Sequence, residues 1–135
     1  MPAGYRRCVP QRRKRTGSVP KRRWRDYETP AGRRPVRAFL AGLADGDAAA
    51  VLAAMGDVQK NGLAVAEYLE DEIYEVKADG FRQTFRVLFA AEGQHDQVLL
   101  ALEGFSKKTQ KTPPAKIRLA KRRLREWRAR GRGKR

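Results

Sequence analysis

From Ile73 onward the apolar residues return at every second position, a period that strands satisfy and helices do not. In Ile73-Tyr74-Glu75-Val76-Lys77 the alternation puts Tyr74 and Val76 on one face and Glu75 and Lys77 on the other. Ala78-Asp79-Gly80 has the composition of a tight connection. In the following run, Phe81 to Ala90, the residues Phe81, Gln83, Phe85, Val87 and Phe89 share one face, while Arg82, Thr84, Arg86, Leu88 and Ala90 share the other. Glu92 to Asp96 is turn-like, and Gln97 to Phe105 is apolar on both faces apart from Glu103, as a central strand must be. Three antiparallel strands joined by short turns are therefore expected.

Upstream the period is helical. Pro35 suits a first helical turn, and Val36, Phe39, Leu40 and Leu43 follow the i, i+3, i+4, i+7 spacing of one buried face, with Gly42 and Gly46 as stops. Asp47 is placed to cap a second helix reaching Lys60, with Val51, Leu52, Met55 and Val58 inward and Asn61-Gly62 at its end. Trp24 to Glu28 reads as a short strand. Pro114 to about Arg130 reads as a basic helix with Ile117, Ala120, Leu124 and Trp127 along a narrow stripe. The expected class is α+β: a small antiparallel sheet, two helices packed on one face, and a basic C-terminal helix. The domain is expected over residues 24–130. A basic disordered N-terminal extension, residues 1–23, precedes it and a basic tail, residues 131–135, follows. The extension reads either as a nucleic-acid-binding arm or as a segment the fold does not need, and its lack of periodicity favours the second.

Charge divides the chain into three zones. Residues 1–25 hold ten Lys or Arg and no acid, residues 26–106 hold seven bases and fourteen acids, and residues 107–135 hold fourteen bases and one acid, Glu126. A mildly acidic body with two basic ends is expected of a polyanion binder, nucleic acid before anionic membrane. Charge kept only for solubility would be mixed in sign and evenly scattered. A single cysteine, Cys8, excludes an internal disulfide framework and a cysteine zinc site, so neither metal nor cofactor is expected and a reducing cytoplasm is the expected location. No apolar run approaches the ~20 residues of a membrane span.

The candidate site gathers around the end of the most apolar strand. Gly104-Phe105-Ser106-Lys107-Lys108-Thr109-Gln110-Lys111-Thr112-Pro113-Pro114 crowds lysines and hydroxyls onto one connection. Ammonium groups and hydroxyl donors of this kind suit a phosphate, and Lys111, Thr109 and Thr112 are the binding candidates. If Tyr74, Val76, Phe85 and Val87 point at the helices, Lys77, Arg82 and Arg86 emerge on the opposite, open face, a concave cationic surface about one RNA strand wide. The plainer alternative is that Arg82 and Arg86 pair with Glu75, Glu103 or other acids across the sheet. Lys121 and Arg122, on the basic helix, extend the same surface. His95, the only histidine, falls in a turn and reads as an ordinary exposed residue.

The run Tyr74-Glu75-Val76-Lys77, then Phe85-Arg86-Val87-Leu88-Phe89, then Gly104 to Pro113, continuing through Ile117, Ala120 and Arg123, resembles the RelE/ParE superfamily, in particular its HigB-like branch. Gly32-Arg33-Arg34-Pro35-Val36 with Phe39-Leu40 resembles that family's first helix. The resemblance implies a RelE-like fold and a toxin of a type II toxin–antitoxin module. It implies an endoribonuclease that cuts messenger RNA on the ribosome, without a metal, by attack of a ribose 2′-hydroxyl on the adjacent phosphate. It also implies a helix-turn-helix antitoxin as partner. By position it implies Arg86 for transition-state stabilisation, Lys77 for phosphate orientation or proton transfer, and Lys107 or Lys108 for phosphate binding, with Arg82 secondary. No histidine or tyrosine stands where a general acid or base is needed, and a lysine fills that role only if burial or neighbouring charge lowers its pKa. A gyrase-poisoning member of the superfamily and a non-catalytic RNA-binding protein are the other two readings of the same composition.

Overall fold

The computed structural model describes residues 21–107 and 110–131. In chain order the elements are β1 (Arg23–Asp26), α1 (Pro35–Ala41), α2 (Asp45–Asn61), β2 (Glu67–Glu70), β3 (Ile73–Asp79), β4 (Thr84–Glu92), β5 (Val98–Lys107) and α3 (Pro114–Ala129). They form an α+β domain around a five-stranded sheet of order β1-β5-β4-β3-β2. Strands β2 to β5 are mutually antiparallel, as short turns require, whereas β1 lies parallel to β5 and makes the sheet mixed.

Each face of the sheet is covered. On one, Val76, Phe85, Val87 and Phe89 pack against Val36 of α1 and Val51, Met55 and Val58 of α2. On the other, Ile73, Leu88, Leu100 and Leu102 pack with Tyr27 against Ala120, Leu124 and Trp127 of α3. The alternation read from the strands is therefore correct about which residues share a face. The expected open face is not open, because α3 closes much of it. A shift of register between Leu88 and Phe89 pairs Leu88 with Glu103 and Phe89 with Ala101, leaving Leu102 as an extra residue on β5.

Several local expectations differ from the structure. Strand β2 goes unseen in the sequence because it is short and mostly exposed. It joins β3 through Asp71 and Glu72, whose φ values of 47° and 72° are those of a two-residue hairpin turn normally supplied by Asn-Gly. Here α3 holds the turn instead: Lys121 Nζ lies 3.0 Å from Asp71, and Arg128 Nη2 lies 2.8 Å from Glu72. Leu52 is 55% exposed, since it sits one residue round the helix from the inward Val51. Strand β4 begins at Thr84, and Phe81 protrudes from the preceding turn at 87% exposure. Asp47 does not cap α2; its carboxylate accepts the Phe81 amide at 2.9 Å, tying that turn to the helix. Strand β5 extends to Lys107, two residues beyond the expected end. No helix among the described residues is long and apolar enough to cross a membrane.

Gly104 marks the closest approach of α1 to the sheet. A Cβ there would sit 2.9 Å from Phe39 Cε2 and closer still to Cδ2. Gly104→Ala should therefore lower stability by about 1–3 kcal/mol through overpacking. Gly56, on the exposed side of α2 with open space around it, should behave oppositely, and Gly56→Ala should add roughly 0.5–1 kcal/mol of helix propensity. Urea unfolding of the two variants checks both signs.

Candidate functional site

A cavity of about 550 Å³ opens at the β2–β4 side of the sheet, lined by Val65, Glu67, Glu75, Lys77, Arg86 and Gln110 with two neighbouring alanines. Its chemistry follows from the strand period. Glu75 and Lys77 lie two residues apart on β3 and share a face, and Lys77 stands directly opposite Arg86 on β4. Lys77 is exposed, whereas Arg86 is only 8% exposed.

A guanidinium buried to this degree needs a counter-charge. Glu75, 2% exposed, supplies it: Arg86 Nη1 donates to Glu75 Oε1, and the Thr112 hydroxyl donates to Oε2. The expectation that Arg86 emerges freely from an open face is thus corrected. α3 and the segment entering it roof this face, and the cross-strand pair with Glu75 is the one the plainer alternative described. The pairing is incomplete. Arg86 Nε is buried and has no hydrogen-bond acceptor among the described residues, although the side chain lines the cavity.

Lys107 lies one layer further in. It is 6% exposed, and its Nζ donates to the Gln110 carbonyl and, at 3.3 Å, to Thr112 Oγ1. Burial pushes its pKa below the ordinary lysine value, and the nearby Arg86 charge pushes the same way. Lys107 does not line the cavity; it braces Gln110, which does. Thr112 is likewise turned inward, bonded to Glu75 and Lys107. Lys111 lines a smaller cavity of about 270 Å³ that shares Glu67, Glu75 and Gln110 with the first. Lys108 and Thr109 lie outside the described residues.

The other sequence candidates are elsewhere. Arg82 sits on the β3–β4 turn with its guanidinium 5.5 Å from the Phe81 ring centre, outside the cavity lining. Lys121 is engaged by Glu70 at 2.5 Å and by Asp71, and Arg122 is exposed on α3; neither lines the cavity. His95 is exposed in a short 3-10 turn, Gln94–Asp96, and Trp127 is core. Two carboxylates went unnoticed in the sequence as site residues. Glu75 enters the sequence reading only as a possible ion-pair partner of the strand arginines, though its spacing from Lys77 already places it beside the cations. Glu67 sits on a strand that the sequence does not reveal. It lines both cavities, and its carboxylate, unlike its backbone, makes no hydrogen bond or ion pair among the described residues. No group of three or more His, Cys, Asp or Glu among the described residues is placed to hold a metal ion.

Removing Glu75 should be costly, because Arg86 would be left buried and unpaired. Glu75→Ala should lose about 3–5 kcal/mol in urea unfolding. Lys107 predicts a pH signature. Its folded-state pKa lies below the unfolded value, so between the two the unfolded chain binds the extra proton. Stability should rise as pH climbs through that window towards the ordinary lysine value of 10.5, and the gain is lost as pH falls through the folded pKa. In Lys107→Met this alkaline rise should vanish from a series of unfolding curves.

Residues 38–125, about two thirds of the chain, match the family described as phage derived protein Gp49-like (DUF891), and the matched span runs from α1 into α3 across the whole cavity. A comparison of the chain with curated proteins returns no match. The chain belongs to the phage-derived Gp49-like family, a RelE-like family associated with the toxins of toxin–antitoxin systems.

Proposed function

We propose that this protein is a HigB-like toxin that cleaves messenger RNA on the ribosome in the cytoplasm and is held inactive by a cognate helix-turn-helix antitoxin. The observation that carries the reading is the facing pair Lys77 and Arg86 in a cavity where Arg86 Nε still lacks an acceptor. A phosphodiester supplies what both need: oxygens for a guanidinium fork and a second negative oxygen for an ammonium.

The chemistry follows from the side chains present. The scissile phosphate sits between Lys77 and Arg86. The 2′-hydroxyl of the preceding ribose loses its proton to Glu67, the unpaired carboxylate, and its oxygen attacks phosphorus. As the P–O5′ bond breaks, the leaving oxygen takes a proton from the Lys77 ammonium. A 2′,3′-cyclic phosphate and a 5′-hydroxyl result. Arg86, held by Glu75, faces the charge that builds on the non-bridging oxygens, and fixed donors of this kind act without reorganisation at the moment of reaction. Lys107 acts indirectly by fixing Gln110 and Thr112.

Lys77→Met should reduce cleavage by roughly 10²–10³-fold while leaving stability within about 0.5 kcal/mol, because Lys77 is exposed. Arg86→Lys, which keeps the charge near Glu75 but loses the fork, should show a comparable loss. The assay is mapping of transcript ends with ribosomes present, alongside growth on induction with and without a co-expressed antitoxin. Full cleavage by Lys77→Met would reject the site. Growth arrest accompanied by DNA damage and intact transcripts would assign the protein to the gyrase-poisoning members, and binding without cleavage to plain RNA binders.

A further inference from the structure

The described part of the chain begins and ends along one edge of the sheet, at β1. Strand β1 is an edge strand, and the basic N-terminal stretch joins it at Arg23. The last turn of α3 is fastened just beyond the end of that strand: the Tyr27 hydroxyl donates to Glu126 at 2.7 Å, and Arg130 donates to the Glu28 carbonyl. Arg23, where β1 starts, and Glu28, where α3 is fastened, are about five extended residues apart, roughly 16 Å. Residues 1–20 hold six Lys or Arg and no acid, and residues 132–135 hold two Arg and one Lys.

Between these points lies a groove of about 270 Å³ that the cleavage reading does not use. Arg25, Arg34 and Arg37 border it, with Trp24, Trp127 and the acids Asp26 and Glu28. The arginines are held in place. Arg25 lies 5.1 Å from the Trp127 ring centre, Arg34 pairs with Glu28 at 3.3 Å, and Arg37 pairs with Asp26 at 3.5 Å. Those pairs are largely exposed on the arginine side, so each guanidinium keeps donors turned to solvent. Charges on an edge strand often serve only to discourage strand pairing. Arg34 is the N-cap of α1 and Arg37 lies within it, not on the strand, so that role does not account for them.

We infer that this β1–α1–α3 edge is a docking surface for the phosphate backbone of RNA, separate from the cavity between β2 and β4. Three arginine forks set around one groove, in a chain whose residues 1–20 and 132–135 add nine bases and no acid, match a line of phosphates better than they match a single anion. Docking needs no 2′-hydroxyl and no cleavage, so it stands or falls independently of the nuclease reading.

The test is binding of a 20-nucleotide 2′-O-methyl oligouridylate, which cannot be cleaved by 2′-attack, to the full chain across a salt series. Arg34→Gln/Arg37→Gln should weaken binding roughly tenfold at 0.15 M salt and reduce the slope of log K against log salt by about 1.4, the equivalent of two single-strand phosphate contacts. The control is Arg118→Gln/Arg125→Gln, which removes equal charge from the outer side of α3 and should change affinity less than about twofold. Equal losses in the two double variants would reduce the surface to a net-charge effect and overturn the inference. So would unchanged binding by Arg34→Gln/Arg37→Gln. Tighter binding of a 20-residue polyglutamate peptide, lost in the same variant, would overturn it in favour of an acidic protein partner.

Discussion

A strand that is apolar on both faces has to be covered on both faces, and β5 imposes this condition on the whole molecule. Leu99 and Ala101 belong to one core and Leu100 and Leu102 to the other, all at most 1% exposed. Burying one set brings α1 and α2 onto the sheet; burying the other requires α3. The rest follows in order. Once α3 lies across the second face, the segment leading into it must run over the end of β3 and β4. That converts a flat cationic surface into a walled cavity. Arg86 then loses most of its water and needs Glu75, and Glu75 in turn gathers Thr112.

This sequence of constraints explains why a cavity lined by Lys77 and Arg86 also contains carboxylates. A buried arginine without a partner is expensive, and a fully paired one has nothing left for a ligand. Glu75 engages one terminal nitrogen of Arg86 and leaves Nε over, which orients the guanidinium without exhausting it. Lys107 serves the same end from behind. Its depressed pKa reflects a charge carried into a poorly solvated place, and the carbonyl and hydroxyl it holds keep the roof of the cavity in position. Pre-set donors of this sort, and not flexible surface lysines, are what lowers a barrier to phosphoryl chemistry.

Ion pairs play a different part on α3. Lys121 and Arg128 reach the acidic turn between β2 and β3, and Arg123 and Lys116 reach Glu103 on β5. Single exposed pairs contribute little. Here they determine which way a mostly basic helix lies, since its apolar stripe is narrow. Much of the positive charge on α3 is therefore engaged in structure, and its arginines without an ion pair among the described residues, Arg118, Arg122 and Arg125, are exposed on its outer side. The cavity and the β1 groove are three strand spacings apart, about 14 Å, towards opposite edges of the sheet.

Local periodicity was enough for the strand faces, the three helices and the partners Lys77 and Arg86, because a two-residue or 3.6-residue repeat is a property of the chain itself. Phe39 and the stripe on α3 were legible for the same reason, whereas the need for glycine at position 104 comes only from Phe39 lying against it in space. The short strand β2 was not, because a four-residue edge strand carries almost no pattern, and its turn is held by cations fifty residues away. For that reason Glu67 could not be recognised as a cavity residue, and Arg86 was expected in solvent. Burial depends on what lies above a side chain, and the helix above Arg86 begins almost thirty residues later. Sequence by itself determined the elements, their faces and where the charge lies along the chain. Tertiary structure alone decided which charges are buried, which are paired, and that Arg34 and Arg37 stand beside β1 and α3 at one edge, because desolvation and pairing depend on neighbours in space and not along the chain.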